Sequence, residues 1–210
     1  NNDFGKGGQA TIKGLLATGP TQIVTEISTE SGQVDFSAAV IQAKQSGADA
    51  LFAYTNEEES ARLLRELRKQ GWNKPVIGET VLTSAKVVEL AGEAANGAVA
   101  HVGLTVEAPQ LQAFGKKYQA EYKTVSDHNG VKGYTAVYVL KAAIEKSGKV
   151  DRKAAAAAIR NSCFSAKQHP GVLMDVCFDD KGDIDRESFI TEIRNGKTVV
   201  AETLPPLNKK

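Results

Sequence analysis

Residues 50–78 read ALFAYTNEEESARLLRELRKQGWNKPVIG, and this stretch decides the fold class. Ala50 to Tyr54 is a short apolar run of strand length. Asn56 stands at a helix N-cap position with Glu59 three residues later, the spacing of a capping box. Glu57, Glu58 and Glu59 fill the first turn, where the helix dipole favours negative charge. Leu63, Leu64 and Leu67 form one apolar face, and Gly71 supplies a C-terminal stop. Pro75 to Gly78 then reads as the next strand. Strands alternating with helices in this way predict right-handed crossovers and a parallel sheet covered on both faces.

The same rhythm extends in both directions. Upstream, a helix from about Gly5 to Ala17 places Ile12, Leu15 and Leu16 on one face, and Gly19-Pro20 ends it. Gln22 to Ile27 is expected to be a strand and Ser28 to Val34 a loop. Asp35 caps a helix whose Phe36, Ala39, Val40 and Ala43 share a face. Downstream, Ala85 to Ala91 reads as a short helix and Gly97 to Val102 as a strand. A parallel sheet needs a strand ahead of its first helix, and Asn1 falls where that strand is expected to end, so the fold is read as α/β but incomplete.

After Gly103 the pattern changes. Two helices follow in succession, about Pro109 to Tyr122 and Asn129 to Ser147. A third, Arg152 to Arg160, is capped by Asp151 and rich in alanine, the strongest helix former. Val172, Met174, Val176 and Phe178 alternate as a strand does. Phe189 to Arg194 is a further strand, joined by the hairpin turn Asn195-Gly196 to Lys197–Ala201. Pro205 to Lys210 has the composition of a disordered end.

Composition excludes several function classes. The 210 residues carry a formal charge of +1, which leaves no basic stripe to neutralise phosphates and argues against nucleic acid. No apolar run approaches the ~20 residues of a spanning helix. The first residues have neither the basic region nor the apolar stretch of a signal peptide, as expected of a processed mature chain or of a truncated one. Cys163 and Cys177 permit one disulfide in an exported protein, and two free buried thiols are the other reading.

The candidate chemistries are weak one by one. Phe4-Gly5-Lys6-Gly7-Gly8 is glycine-rich at a helix start but lacks phosphate-loop and dinucleotide spacings. Asp179, Asp180, Asp183, Asp185 and Glu187 miss the EF-hand order. His101, His128 and His169 are scattered, without zinc spacing. No G-x-S-x-G elbow exists. The expectation is therefore a binding protein, not an enzyme, with no metal and no cofactor.

Taken together, several blocks carry a family resemblance. Asp3-Phe4-Gly5-Lys6-Gly7, Val34-Asp35-Phe36-Ser37-Ala38 and Gly47-Ala48-Asp49-Ala50 are joined by Pro75-Val76-Ile77-Gly78 and by Leu90-Ala91-Gly92-Glu93-Ala94-Ala95-Asn96-Gly97. Gly133-Tyr134-Thr135-Ala136 and Phe178-Asp179-Asp180-Lys181-Gly182-Asp183 follow in the same order. The chain resembles the leucine/isoleucine/valine-binding proteins of hydrophobic amino-acid and amide uptake. The resemblance implies a type I periplasmic-binding-protein fold: two parallel-sheet lobes with a hinge, closing on an amino acid that passes to an ABC permease, in the periplasm. On that template residues 1–103 with 189–203 are lobe two and 104–188 the C-terminal segment of lobe one. Residues 204–210 form a flexible tail, and the N-terminal part of lobe one is missing. The uncovered face of 104–188 implies a possible dimer.

The resemblance also implies ligand contacts. Phe4 takes the place of a tyrosine that touches ligand in relatives, and here its hydroxyl hydrogen bond is lost. Asn56 falls at the position lining the interlobe cleft, at the start of the Glu57 helix, but helix capping competes for its side chain and is the preferred role. The acidic residue that holds the ligand ammonium falls at Thr80 in strict register and at Glu79 by chemistry, and Glu79 is preferred. Asn129 replaces an aromatic contact. The alternative function on the same fold is a ligand-sensing domain of a regulator or receptor.

Overall fold

Helices Asp3–Leu16 (α1) and Ser37–Gln45 (α2) precede the first strand of the computed structural model, which describes residues 1–207. Strands Leu51–Ala53 (β1), Val76–Gly78 (β2) and Ala98–Val102 (β3) then pair in parallel. Glu57–Lys69 (α3) crosses between β1 and β2. A 3-10 turn at Thr80–Thr83 and the helix Ala85–Ala91 (α4) lead from β2 towards β3. The chain forms two compact units. The first contains Asn1–His101 and Thr191–Val199, and the second Val102–Ile190 with the chain from Val200 on.

The expected strand–helix–strand around α3 is present. Leu64 and Leu67 are wholly buried on its apolar face. It ends at Gly71, whose φ of 74° suits glycine, while Trp72 N–H donates to Leu67 O at 2.8 Å. The core of this unit adds Phe36, Val40, Val76, Leu82, Val87 and the small residues Ala98 and Ala100.

Three expectations for this unit are corrected. Gln22–Ile27 has no regular secondary structure and forms no ladder, and Ile23 and Val24 are exposed. Among the described residues no strand pairs with this segment, and β1 lies at one end of the sheet order with β2 as its neighbour. The sheet is not covered on both faces either. Phe52 and Ile77, partners in register across β1 and β2, stay 44% and 41% exposed. No residue of α1 is fully buried; Ile12 and Leu16 are half-buried and Leu15 points to solvent.

In the second unit, a 3-10 turn at Pro109–Leu111 opens what was expected as one continuous helix and continues as Gln112–Tyr122 (α5). His128–Ser147 (α6) is capped by Asp127, and Arg152–Ile159 (α7) by Asp151. Small side chains let α6 and α7 pack closely: Ala142, Ala143 and Ala155 share a core with Val139, Phe164, Val172 and Val176. Ser162–Phe164 (β4), Val176–Phe178 (β5) and Ile184–Asp185 (β6) form an antiparallel sheet. The strand expected from Val172 is thus shorter at its start; Val172 and Met174 keep the alternating burial without a ladder. Cys163 and Cys177, directly opposite in β4 and β5, form a disulfide, so the free-thiol reading is set aside.

Ser188–Arg194 (β7) and Lys197–Leu204 (β8) complete the five-stranded sheet, whose order is β1-β2-β3-β7-β8. Asn195 and Gly196, both at positive φ, make the expected hairpin turn. Of the expected flexible tail, Leu204 ends β8 and Leu207 N–H donates to Asp185 Oδ1 at 2.7 Å, while 208–210 lie outside the described residues.

Candidate functional site

Ala53 of β1 is the register partner of Gly78 in β2, so the next residues, Tyr54 and Glu79, leave neighbouring strands at the carboxyl edge of the sheet. This edge is where parallel sheets bind ligands. Gly78 must be glycine here: a Cβ would come within 2.8 Å of Ala53 O and 2.9 Å of Leu82 Cβ. The tight approach seats the 3-10 turn directly on the strand end. Glu79 N-caps that turn, accepting from Val81 N–H at 3.0 Å.

The turn is anchored from behind. Thr83 and Thr191 hydroxyls lie 2.7 Å apart in the core, and Thr198 Oγ1 donates to Thr83 O at 2.7 Å. Thr80 Oγ1 donates to His101 O at 3.5 Å, which turns its hydroxyl to the backbone of β3.

Tyr54 follows β1, at one end of the sheet order. Phe4 stacks on it with ring centroids 4.3 Å apart and planes at 24°, and Phe52 stacks at 6.3 Å on the strand side. Helix α1 comes this close because Gly8 has no side chain; a Cβ there would strike the Tyr54 ring. Burial raises the Tyr54 phenol above the ordinary tyrosine range, and the negative charge of Glu79 adds to the shift.

Asn56 is the N-cap of α3 by its backbone, with Ser60 N–H donating to Asn56 O at 2.8 Å, but its side chain makes no capping bond. The capping competition expected for this residue is therefore absent. Burial pushes the Glu59 carboxyl up, yet it lies below the usual glutamate range. The Gly32 N–H, its own N–H, the Asn56 amide and the Arg62 charge together outweigh burial. Phe4, Tyr54, Asn56 and Glu59 line one open depression with Thr29, Glu30 and Ser31.

The structure thus brings Phe4 and Asn56 to one depression with Tyr54, while Glu79 and Thr80 follow the neighbouring strand end and are not among the residues that line it. Asn129 belongs to the second unit, is exposed, and donates to Asp127 Oδ2 at 3.2 Å. Tyr54 and the 29–31 loop were not anticipated. The signal for Tyr54 was its place one residue past a parallel strand; for the loop no local signal exists. Among the described residues no group of three or more His, Cys, Asp or Glu side chains could hold a metal ion, and no helix is long and apolar enough to cross a membrane.

A family model described as periplasmic binding protein matches residues 1–198, nearly the whole chain. The chain belongs to the periplasmic binding protein family. A Leu/Ile/Val-binding protein of Rhizobium johnstonii is 29% identical over 203 residues, covering 95% of this chain and 54% of that protein. A leucine-, isoleucine-, valine-, threonine- and alanine-binding protein of Pseudomonas aeruginosa is 24% identical, covering 89% and 49%. The chain therefore spans about half the length of the curated relatives it matches. Among solved structures, a leucine-binding protein from Thermotoga maritima superposes with a TM-score of 0.83 at 23% identity, covering 98% of this chain and 58% of that one. A solute-binding protein from R. palustris in complex with benzoate gives 0.80 at 21% identity, covering 96% and 56%. The fold is that of type I periplasmic binding proteins.

Proposed function

We propose that this chain supplies the amine-gripping part of the binding site of an ABC importer's substrate-binding protein, acting in the periplasm on a branched-chain or other small amino acid or amide. The observation that carries the reading is that Glu79 leaves β2 next to Tyr54, which leaves β1 and stacks on Phe4. A carboxylate at the edge of stacked rings suits a ligand with an ammonium group and an apolar side chain. The curated relatives named for leucine, isoleucine and valine support the same class. Benzoate, bound by one structural relative, has no cation to offer Glu79 and would meet its charge unfavourably.

The chain matches about half of each relative, and we assign the ligand's carboxylate donors to the half it does not match. A complete protein of this type with micromolar affinity gains about 8 kcal/mol. Two or three charge-assisted bonds at roughly 1.5–3 kcal/mol each would be lacking. Millimolar binding is then expected of the 210 residues alone. The ligand passes to a membrane permease without being changed, so no reaction is assigned.

Leucine, 4-methylpentanoate (leucine without its amine) and benzoate, titrated in turn into the labelled chain and followed by NMR, test the reading. Leucine should shift the Tyr54, Asn56 and Glu79 signals at millimolar concentration, and the two carboxylates should not. Equal responses to all three would remove the amine from the account.

A further inference from the structure

Arg186 lies between β6 and β7 in the second unit and is half-buried. Among the described residues it has neither an ion pair nor a hydrogen bond, and burial alone lowers its pKa from the ordinary arginine value. A guanidinium taken out of water without a partner is unfavourable, so arginines away from the surface are paired as a rule. Arg62, Arg68, Arg160 and Arg194 obey it, each donating to a carbonyl or a carboxylate. Arg65 and Arg152 are exposed and keep their water. Arg186 is the exception.

The two acids beside it in sequence are engaged elsewhere. Asp185 Oδ1 accepts from Leu207 N–H at 2.7 Å, and Glu187 Oε2 accepts from Gln110 Nε2 at 3.1 Å. The guanidinium itself lies against bare backbone: a Cβ at Gly103, the residue after β3, would stand 3.5 Å from Arg186 Nη2. Both residues belong to the second unit.

A guanidinium presents five N–H donors in a planar fork, and two parallel bonds from that fork fit one carboxylate. A hydroxyl or a carbonyl would take a donor and leave the charge unbalanced. We propose that Arg186, beside Gly103, is a carboxylate-binding site that no side chain of the described residues fills. The proposal goes beyond the amine grip and does not rest on it. The carboxylate belongs either to a small acid, the amino-acid ligand included, or to an acidic side chain in the part of the relatives that this chain does not match. The chemistry at Arg186 is the same for both.

The Arg186 Nε–H signal of the full chain, followed by NMR and assigned by its loss in Arg186→Met, reads the site. Exchange of chloride for acetate at constant ionic strength should shift it along a saturable curve. Its midpoint should lie at roughly 1–100 mM, the range of one or two charge-assisted bonds. Acetate should also raise the melting temperature of the parent relative to chloride. The rise should be smaller in Arg186→Lys, which keeps the charge without the fork, and absent in Arg186→Met. A linear or missing acetate response, or equal stabilisation of the parent and Arg186→Met, would overturn the site. Should Arg186→Met fail to fold, Arg186→Lys assigns the signal and the saturation curve decides. Leucine then separates the sources. A leucine-induced shift of the same signal, weakened by acetate, gives the carboxylate to the amino acid. An acetate response with leucine silent gives it to a protein side chain.

Discussion

Phe4 and Tyr54 stack face to face, 4.3 Å between ring centroids, although they are 50 positions apart and lie on a helix and a strand end. The contact exists because Gly8 lets α1 approach the tyrosine ring. An aromatic pair of this kind contributes about 0.5–1.5 kcal/mol beyond its buried area. Phe4→Ala should therefore lower the stability of the chain by about that amount, and should weaken leucine binding through loss of the ring at the depression. Shift titrations and thermal melts of the one variant check both halves. Gly8→Ala should do as much harm to binding by pushing the helix away from the ring.

Tyr54 also offers a spectroscopic handle. Its phenol ionises above the ordinary tyrosine range, chiefly through burial and in smaller part through the negative charge of Glu79. Glu79→Gln removes only the second cause, so the Tyr54 midpoint should move down towards, but not reach, that of a free tyrosine. Ultraviolet titration of the variant against the parent, with Tyr54→Phe to assign the signal, reads this directly. An unmoved midpoint would mean that Glu79 lies too far off to feel the ring.

Asp127 links acid stability to α6. Burial pushes its carboxyl up, but the Gly130 N–H at 2.9 Å and the Asn129 amide outweigh it, and its folded pKa lies below the usual aspartate range. A depressed folded pKa means stability that is present above the unfolded value and is lost as pH falls through the folded one. Asp127→Ala should cost about 1 kcal/mol at neutral pH, as N-cap losses do, and should flatten the acid limb of the stability profile. Urea melts between neutral and acid pH measure both.

How much of this was legible in the sequence follows from how local each cause is. The 50–78 stretch reads correctly because its apolar spacing, its acidic first turn and Gly71 act within a few residues. Gln22–Ile27 has strand composition, yet pairing is decided by whether another strand lies alongside, and among the described residues none pairs with it. β4 escapes notice because Ser162–Phe164 is short and is fixed by pairing with β5 and by the disulfide. Asn56 and Glu59 have capping-box spacing, but a glycine amide 27 residues upstream claims the glutamate, so the asparagine side chain faces the depression. Phe4 and Asn56 were legible by resemblance alone, and Tyr54 through its place beyond β1.

Cys163 and Cys177 close a loop with a sequence separation of 14. In the chain-entropy treatment such a crosslink stabilises by about 3 kcal/mol. Replacing both with serine should lower the melting temperature of the second unit while leaving leucine-induced shifts at Tyr54 intact. Loss of those shifts along with the melt would show that the ligand site depends on the β4–β5 crosslink.

The grip on the ligand amine is tested most directly by Glu79→Gln against Thr80→Ala, each titrated with leucine. Removing the charge-assisted bond of Glu79 should cost about 1.5–3 kcal/mol, a loss of roughly tenfold or more, and leave 4-methylpentanoate unaffected. Thr80, whose hydroxyl is turned to His101 O, should matter little. A large loss in Thr80→Ala with none in Glu79→Gln would contradict the assignment and move the amine contact one residue along the chain.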